Sequence, residues 1–256
     1  MEFISVIFMF ITGTIFGSFY NVVGFRLPKG QSIVFPSSHC PNCNHKLSPI
    51  ELIPIISYII SKGKCKNCHK KISPFYIIFE ILTGVLFALS YIVFGFTPNI
   101  IIPLTFISML IIIMVSDYNY MIINDSILLI FSIILIIEIL LIYGPHILLK
   151  HIISAILAFI TMFLLKKLGD FLFKKESMGG GDIKLLGTFG LVIGYPMSIL
   201  AIFLGSIIAL PISLISIKNN PQHIIPFGPF LAIAAIIILL TQLDFTSINS
   251  FLHAYS

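Results

Sequence analysis

Apolar residues along this chain come in long unbroken runs, not in alternation. The runs occupy residues 3–23, 75–95, 99–116, 126–143, 147–165, 183–195, 197–217 and 224–243. All but 183–195, which is short, come near the roughly 20 residues that a helix needs to cross a bilayer. In lipid such runs can satisfy their backbone only as helices. The pattern therefore predicts an all-α polytopic membrane protein with about eight transmembrane helices. Tyr195-Pro196 separates the short piece from the run after it. The first run reads as a spanning helix over 1–23. Glu2 stands where a signal peptide would carry basic residues, and the run is too long for a cleavable apolar core.

One long polar segment, residues 24–73, interrupts the pattern. It carries Arg26, Lys29, Lys46, Lys62, Lys64, Lys66, Lys70 and Lys71 against the single acid Glu51. The positive-inside rule places this loop in the cytoplasm and the N-terminus outside. Alternating over eight spans then puts 117–125, 166–182 and 218–223 on the same side. Counting Lys184 with them, that side holds fourteen of the fifteen basic residues, and only Lys150 falls outside. Were 183–195 re-entrant, the last two helices would flip. The expected organisation is a first helix (1–23), a cytoplasmic loop domain (24–73) and a membrane core (74–256), with no internal repeat.

Composition agrees. Of the 256 residues, 58% are hydrophobic and only 10% charged, whereas soluble domains run to about a quarter charged. A soluble enzyme, a disordered chain and a nucleic-acid binder are excluded. The net charge of +5 bears on orientation and on contact with membrane lipids.

The four cysteines lie in the polar loop as Cys40-Pro-Asn-Cys43 and Cys65-Lys-Asn-Cys68. Two CxxC knuckles at this separation fit a four-thiolate zinc site, one pair of ligands from each turn. Cytoplasmic thiols stay reduced, so disulfides are disfavoured. A loop of this size has little core, and a metal would staple it. Structural Zn(2+) on Cys40, Cys43, Cys65 and Cys68 is the expected reading; an iron–sulfur or redox role is the alternative. His39, His45 and His69 flank the knuckles as solvated loop residues.

Acids at or within spans are costly and mark functional sites. Five qualify: Glu80, Asp117, Asp125, Glu138 and Asp182. Asp117 ends the third span and Asp182 opens the sixth, at the same expected depth on the cytoplasmic side. Two carboxylates sharing a site hold one proton between them. Such a pair can activate water and protonate a leaving amine, the chemistry of aspartic proteases. The bland alternative is a set of helix-capping acids, the role expected for Asp125.

At this point the chain resembles a known family, the type IV prepilin peptidases, or prepilin leader peptidase/N-methyltransferases. Gly17-Ser18-Phe19-Tyr20-Asn21-Val22-Val23-Gly24-Phe25-Arg26-Leu27-Pro28 looks like its N-terminal signature, and the paired CxxC loop resembles its zinc subdomain. Gly179-Gly180-Gly181-Asp182-Ile183-Lys184 fits the GxGD motif of this aspartic peptidase class. Ile225-Pro226-Phe227-Gly228-Pro229-Phe230 resembles the C-terminal signature. The resemblance implies a multi-pass protein of the bacterial inner membrane. It would cut basic leaders from type IV prepilins or pseudopilins on the cytoplasmic side, then methylate the new N-terminus with S-adenosyl-L-methionine. It maps the catalytic aspartates to Asp117 and Asp182. Two positions depart from the family: Asn124-Asp125 stands where a proline–aspartate pair is common, making Asp125 the reserve candidate, and Phe75 stands where an arginine is frequent.

Among the remaining residues, Glu80 could face the active cavity or the methyl-donor site, or be a structural acid between helices. Glu138 reads as structural. Asn21 and Arg26 could bind substrate or donor, or cap and snorkel. Lys184 could tune Asp182 or anchor at headgroups. Gly13 and Gly17 read as helix packing. Two rival functions remain: a peptidase without methylation, and a proton- or cation-coupled transporter.

Overall fold

The computed structural model describes residues 2–174, 176–219 and 225–243. Lys175 and most of the 218–223 connection lie outside the described residues. The described chain is helical, with two isolated β-bridges and no longer strand. It forms two compact halves, Met1–Ile100 and Ile101–Ser256.

The first half is built on α1 (Glu2–Arg26) and α3 (Phe75–Phe94), with the one-turn helix α2 (Ile56–Ile60) in the loop between them. Glu2 in the first turn of α1 and Arg26 in its last complement the helix dipole. Small residues let α1 and α3 meet backbone to backbone. A Cβ on Gly13 would lie 2.7 Å from the Thr83 carbonyl, and one on Gly84 2.7 Å from Thr14. Close approach of this kind replaces hydrophobic driving force in lipid.

The second half comprises α4 (Ile101–Tyr120), α5 (Asp125–Tyr143), α6 (Pro145–Phe173), α7 (Gly180–Ile193), α8 (Tyr195–Asn219) and α9 (Gly228–Thr241). Helix α4 is its centre, packed against α5 and α9, and Phe106, Ile107, Met109, Leu110 and Ile111 are fully buried. Elsewhere many apolar side chains of α5, α6 and α8 are exposed, Leu141, Phe171 and Ile207 among them, the arrangement expected of a protein solvated by lipid.

Each of the eight predicted runs contains a helix among the described residues, the last beginning at Gly228. Among the described residues six helices are long and apolar enough to cross a membrane, while α7 and α9 have 14 residues each. At about 1.5 Å per residue a 14-residue helix covers about 21 Å, short of a ~30 Å hydrocarbon core. The third run continues past its predicted end at residue 116 to Tyr120, held by the Asn119 amide donating to the Val115 carbonyl at 2.7 Å. It stops where Met121 takes a positive φ of 55°.

Candidate active site and metal centre

Asp117 sits in the last turn of α4 and is buried. Its Oδ2 accepts the Gly228 backbone N–H, at the start of α9, at 3.0 Å. A Cβ on Gly228 would lie 2.6 Å from that oxygen, so only glycine allows the approach. Asp182 sits in the first turn of α7, behind three glycines whose first, Gly179, is the N-cap. Its Oδ1 is enclosed by protein and has no hydrogen-bond partner among the described residues.

One side chain joins the supports of the two carboxylates. Ile123, in the turn between α4 and α5, would lie 2.7 Å (Cβ) from a Cβ on Gly181 and 3.3 Å (Cδ1) from one on Gly228. The same turn is fastened to α4 by the Ser116 hydroxyl donating to the Ile122 carbonyl. Acids 65 residues apart in sequence thus flank a single turn.

The neighbouring charges are arranged differently. Asn124, not Asp125, is the N-cap of α5; its side-chain oxygen accepts the Ser126 N–H at 2.9 Å. An asparagine one residue earlier already satisfies that donor, which corrects the capping role expected of Asp125. Asp125 is exposed and pairs with Lys184 at 2.7 Å, so Lys184 bonds to Asp125 and not to Asp182. The pair borders a cavity of about 410 Å³ between α5 and α7, with Ser126, Ser132 and Thr188 in its wall.

In the first half, Glu80 is buried and its Oε2 accepts the Ile55 N–H of the loop at 2.8 Å. Glu138 accepts from Thr105 at 2.6 Å, between α5 and α4. Arg26 donates to the carbonyls of Ser32 and Pro36, so it orders the chain leaving α1. The Asn21 amide donates to the Tyr76 carbonyl at 3.1 Å, while its Oδ1 is buried without a partner among the described residues.

The cysteine loop has near two-fold internal symmetry. The Cys40 N–H donates to the His45 carbonyl and the Cys65 N–H to the Lys70 carbonyl, both at 2.9 Å. Asn44 and His69, four residues after each leading cysteine, both take a positive φ. The four sulfurs lie within 4.8 Å of one another, with Cys40–Cys68 at 3.9 Å and Cys43–Cys65 at 3.8 Å. Zinc–thiolate bonds of about 2.3 Å in a tetrahedron set sulfur–sulfur edges near 3.8 Å, so the donor set fits zinc in both type and spacing. Each knuckle also supports the other: the Asn42 amide reaches Cys68 Sγ at 3.5 Å and the Asn67 amide reaches Cys43 Sγ at 3.7 Å. The Cys68 thiol is pulled down to about 6, first by the Lys70 N–H and then by Asn42, which favours the thiolate a metal needs. The His45 ring lies 3.5 Å from Glu51, consistent with a loop histidine.

Sequence reading missed the Gly228 N–H and the two crossed asparagines. The glycine was visible in the Pro226-Phe227-Gly228-Pro229 segment, and each asparagine follows its leading cysteine by two residues.

The fold and these sites define a polytopic helical membrane protein with an acid at each of two helix ends, Asp117 and Asp182, and a four-cysteine loop. Residues 11–94 match the model of the bacterial peptidase A24 N-terminal domain, and residues 104–214 match that of the type IV leader peptidase family. The chain is 34% identical to a prepilin leader peptidase/N-methyltransferase of Bacillus subtilis, over 90% of this chain and 91% of that one. It is 30% identical to the protein of the same name from Aeromonas salmonicida, over 92% and 90%, and 29% identical to that of Pseudomonas aeruginosa, over 90% and 88%. No solved structure matches the chain. The chain belongs to the type IV leader peptidase family.

Proposed function

We propose that this protein cuts the leader peptide from type IV prepilins or pseudopilins and methylates the N-terminus it exposes. Asp117 and Asp182 are the catalytic pair, held at the cytoplasmic face of the bacterial inner membrane. The observation that carries this reading is the packing of Ile123 against both Gly181, which precedes Asp182, and Gly228, whose N–H holds Asp117, with Asp182 Oδ1 left unpartnered among the described residues.

Between them the acids hold one proton. The ionised carboxylate takes a proton from water, whose oxygen attacks the scissile carbonyl, while the protonated one donates a hydrogen bond to the carbonyl oxygen. Collapse of the tetrahedral intermediate breaks the C–N bond, and the departing amine takes a proton from the pair. The Gly228 N–H fixes one carboxylate in orientation throughout.

Cys40, Cys43, Cys65 and Cys68 would hold zinc through four thiolates, and the metal would then serve the fold of the loop. S-adenosyl-L-methionine supplies the methyl group when bound. The buried, unpartnered Asn21 Oδ1 and the adjoining rings of Phe25, Phe75 and Tyr76 suit a donor that carries both an amine and a cationic sulfur.

The test is co-expression with a candidate prepilin and mass measurement of the mature N-terminus. Wild type should give leader loss plus one methyl group. Asp117→Asn and Asp182→Asn should each leave the precursor uncut while the enzyme still inserts. Normal processing by either variant would remove it from the mechanism. A mature chain of unmethylated mass would leave the peptidase reading alone standing.

A further inference from the structure

The loop between α1 and α3 is basic overall, but its middle is apolar. Residues 49–60 hold six isoleucines and Leu52, with Glu51 as the only charge. A loop surrounded by water should fold these side chains inward. Instead Ile50, Ile53, Ile56, Ile59 and Ile60 are exposed, Ile59 and Ile60 to 63% each.

The exposure has a direction. Within α2, Tyr58 faces the knuckles: its ring would meet a Cβ on Gly63 at 2.9 Å, and its hydroxyl reaches the Ile72 carbonyl at 3.5 Å. Ile56, Ile59 and Ile60, spaced i, i+3 and i+4, share a helical face, and all three are exposed. The one acid of the segment is turned away from that surface. Glu51 accepts the backbone N–H and hydroxyl of Ser48 and sits beside His45 and Lys66. Lys46, Lys62, Lys64 and Lys71 are exposed, and Lys62 and Lys64 follow α2 directly. The loop cannot leave the membrane surface, because both its ends run into membrane-spanning helices.

We infer that α2 is an interfacial anchor: Ile56, Ile59 and Ile60 enter the headgroup–acyl boundary of an anionic leaflet while the lysines around them meet its phosphates. Apolar side chains set among cations are the chemistry by which a surface helix binds anionic lipid. The anchor fixes the height of the metal loop above the bilayer. It depends on the chain's spanning the membrane and is independent of the peptidase reading.

The chain has no tryptophan, so one introduced indole reports alone. The full-length protein carrying Ile59→Trp is reconstituted in phosphatidylglycerol with brominated acyl chains, and in parallel in brominated phosphatidylcholine. Emission should be blue-shifted, quenched at least about twofold by the brominated anionic lipid, and insensitive to acrylamide. Lys62→Glu with Lys64→Glu should cut that quenching by about half. Ile60→Trp is the second reporter, and zinc content checks that the loop is folded. Water-like emission open to acrylamide would overturn the proposal. So would blue-shifted emission without bromolipid quenching, which would mean packing against protein. Equal quenching in phosphatidylcholine would overturn the anionic preference.

Discussion

Asp117 and Gly228 are 111 residues apart, yet the Gly228 N–H donates to Asp117 Oδ2 at 3.0 Å. A backbone donor at the head of one helix thereby orients a carboxylate in the last turn of another. No side chain can be added at residue 228 without meeting that oxygen. Gly228→Ala should displace Asp117 and lose the bond. A hydrogen bond to a charged group is worth about 1.5–3 kcal/mol, so cleavage should fall roughly tenfold to a hundredfold, with the protein still in the membrane. Single-turnover cleavage of a synthetic prepilin in detergent measures this. An unchanged rate would mean the contact does not orient the acid.

Lys184 and Asp125 bridge α7 and α5 beside Asp182. Both are largely exposed, and exposed pairs contribute about 0–1 kcal/mol. If the bridge only braces the site, Lys184→Ala should lower turnover by no more than about fivefold. The swapped pair, Asp125→Lys with Lys184→Asp, should recover most of the loss. Failure of the swap together with a large single-mutant defect would make one of the two a substrate contact. Measuring kcat and KM separately for all three variants distinguishes the outcomes.

The sequence made some of this plain and hid the rest for physical reasons. Long uncharged runs admit only helices in lipid, so all eight helices were legible to within a few residues, apart from the longer α6. The cysteine spacing reported the four-cysteine cluster, because thiolate ligands need particular residue types. Asp117 and Asp182 stood out as candidates because carboxylates at span ends are rare and costly. The Gly228 N–H was not legible: every residue but proline has such a group, and only folding aims it at Asp117. The capping of α5 turned on one residue, since Asn124 and Asp125 are both good caps and the backbone chose the first. The apolar stretch at 49–60 was masked by the eight cations around it, because charge counting over the whole loop averages it away.

Asn42 and Asn67 extend the metal centre beyond its four sulfurs. Partners of metal ligands typically carry 10- to 100-fold in affinity, at order of magnitude. Asn42→Ala and Asn67→Ala should each weaken zinc retention by about tenfold in a competition titration with a chromophoric chelator. The crossed geometry makes their effects similar, and the double variant should come close to a cysteine mutant. Methylation should fall with metal content, whereas leader cleavage should persist if Asp117 and Asp182, in the other half of the chain, carry it as proposed. Cleavage lost in step with zinc would tie the loop to the peptidase reaction.

Glu80 holds an unusual piece of backbone. Pro54, Ile55 and Ile56 form a γ-turn, with the Ile56 N–H on the Pro54 carbonyl at 2.6 Å and Ile55 at φ +63° and ψ −54°. That is the rare, strained form of the turn, and Ile55 is β-branched, which raises its cost. The Ile55 N–H is taken up by the buried Glu80 carboxylate. Glu80→Ala should release the turn, since a buried donor left unsatisfied costs about 1–3 kcal/mol. Ile55→Gly should relieve the strain while keeping the backbone N–H for Glu80. Limited proteolysis of the 24–73 loop is the measurement: faster cutting is expected in Glu80→Ala, and cutting no faster than wild type in Ile55→Gly. The reverse order would mean that Ile55 holds the loop through its side chain and that Glu80 plays no part in bending it.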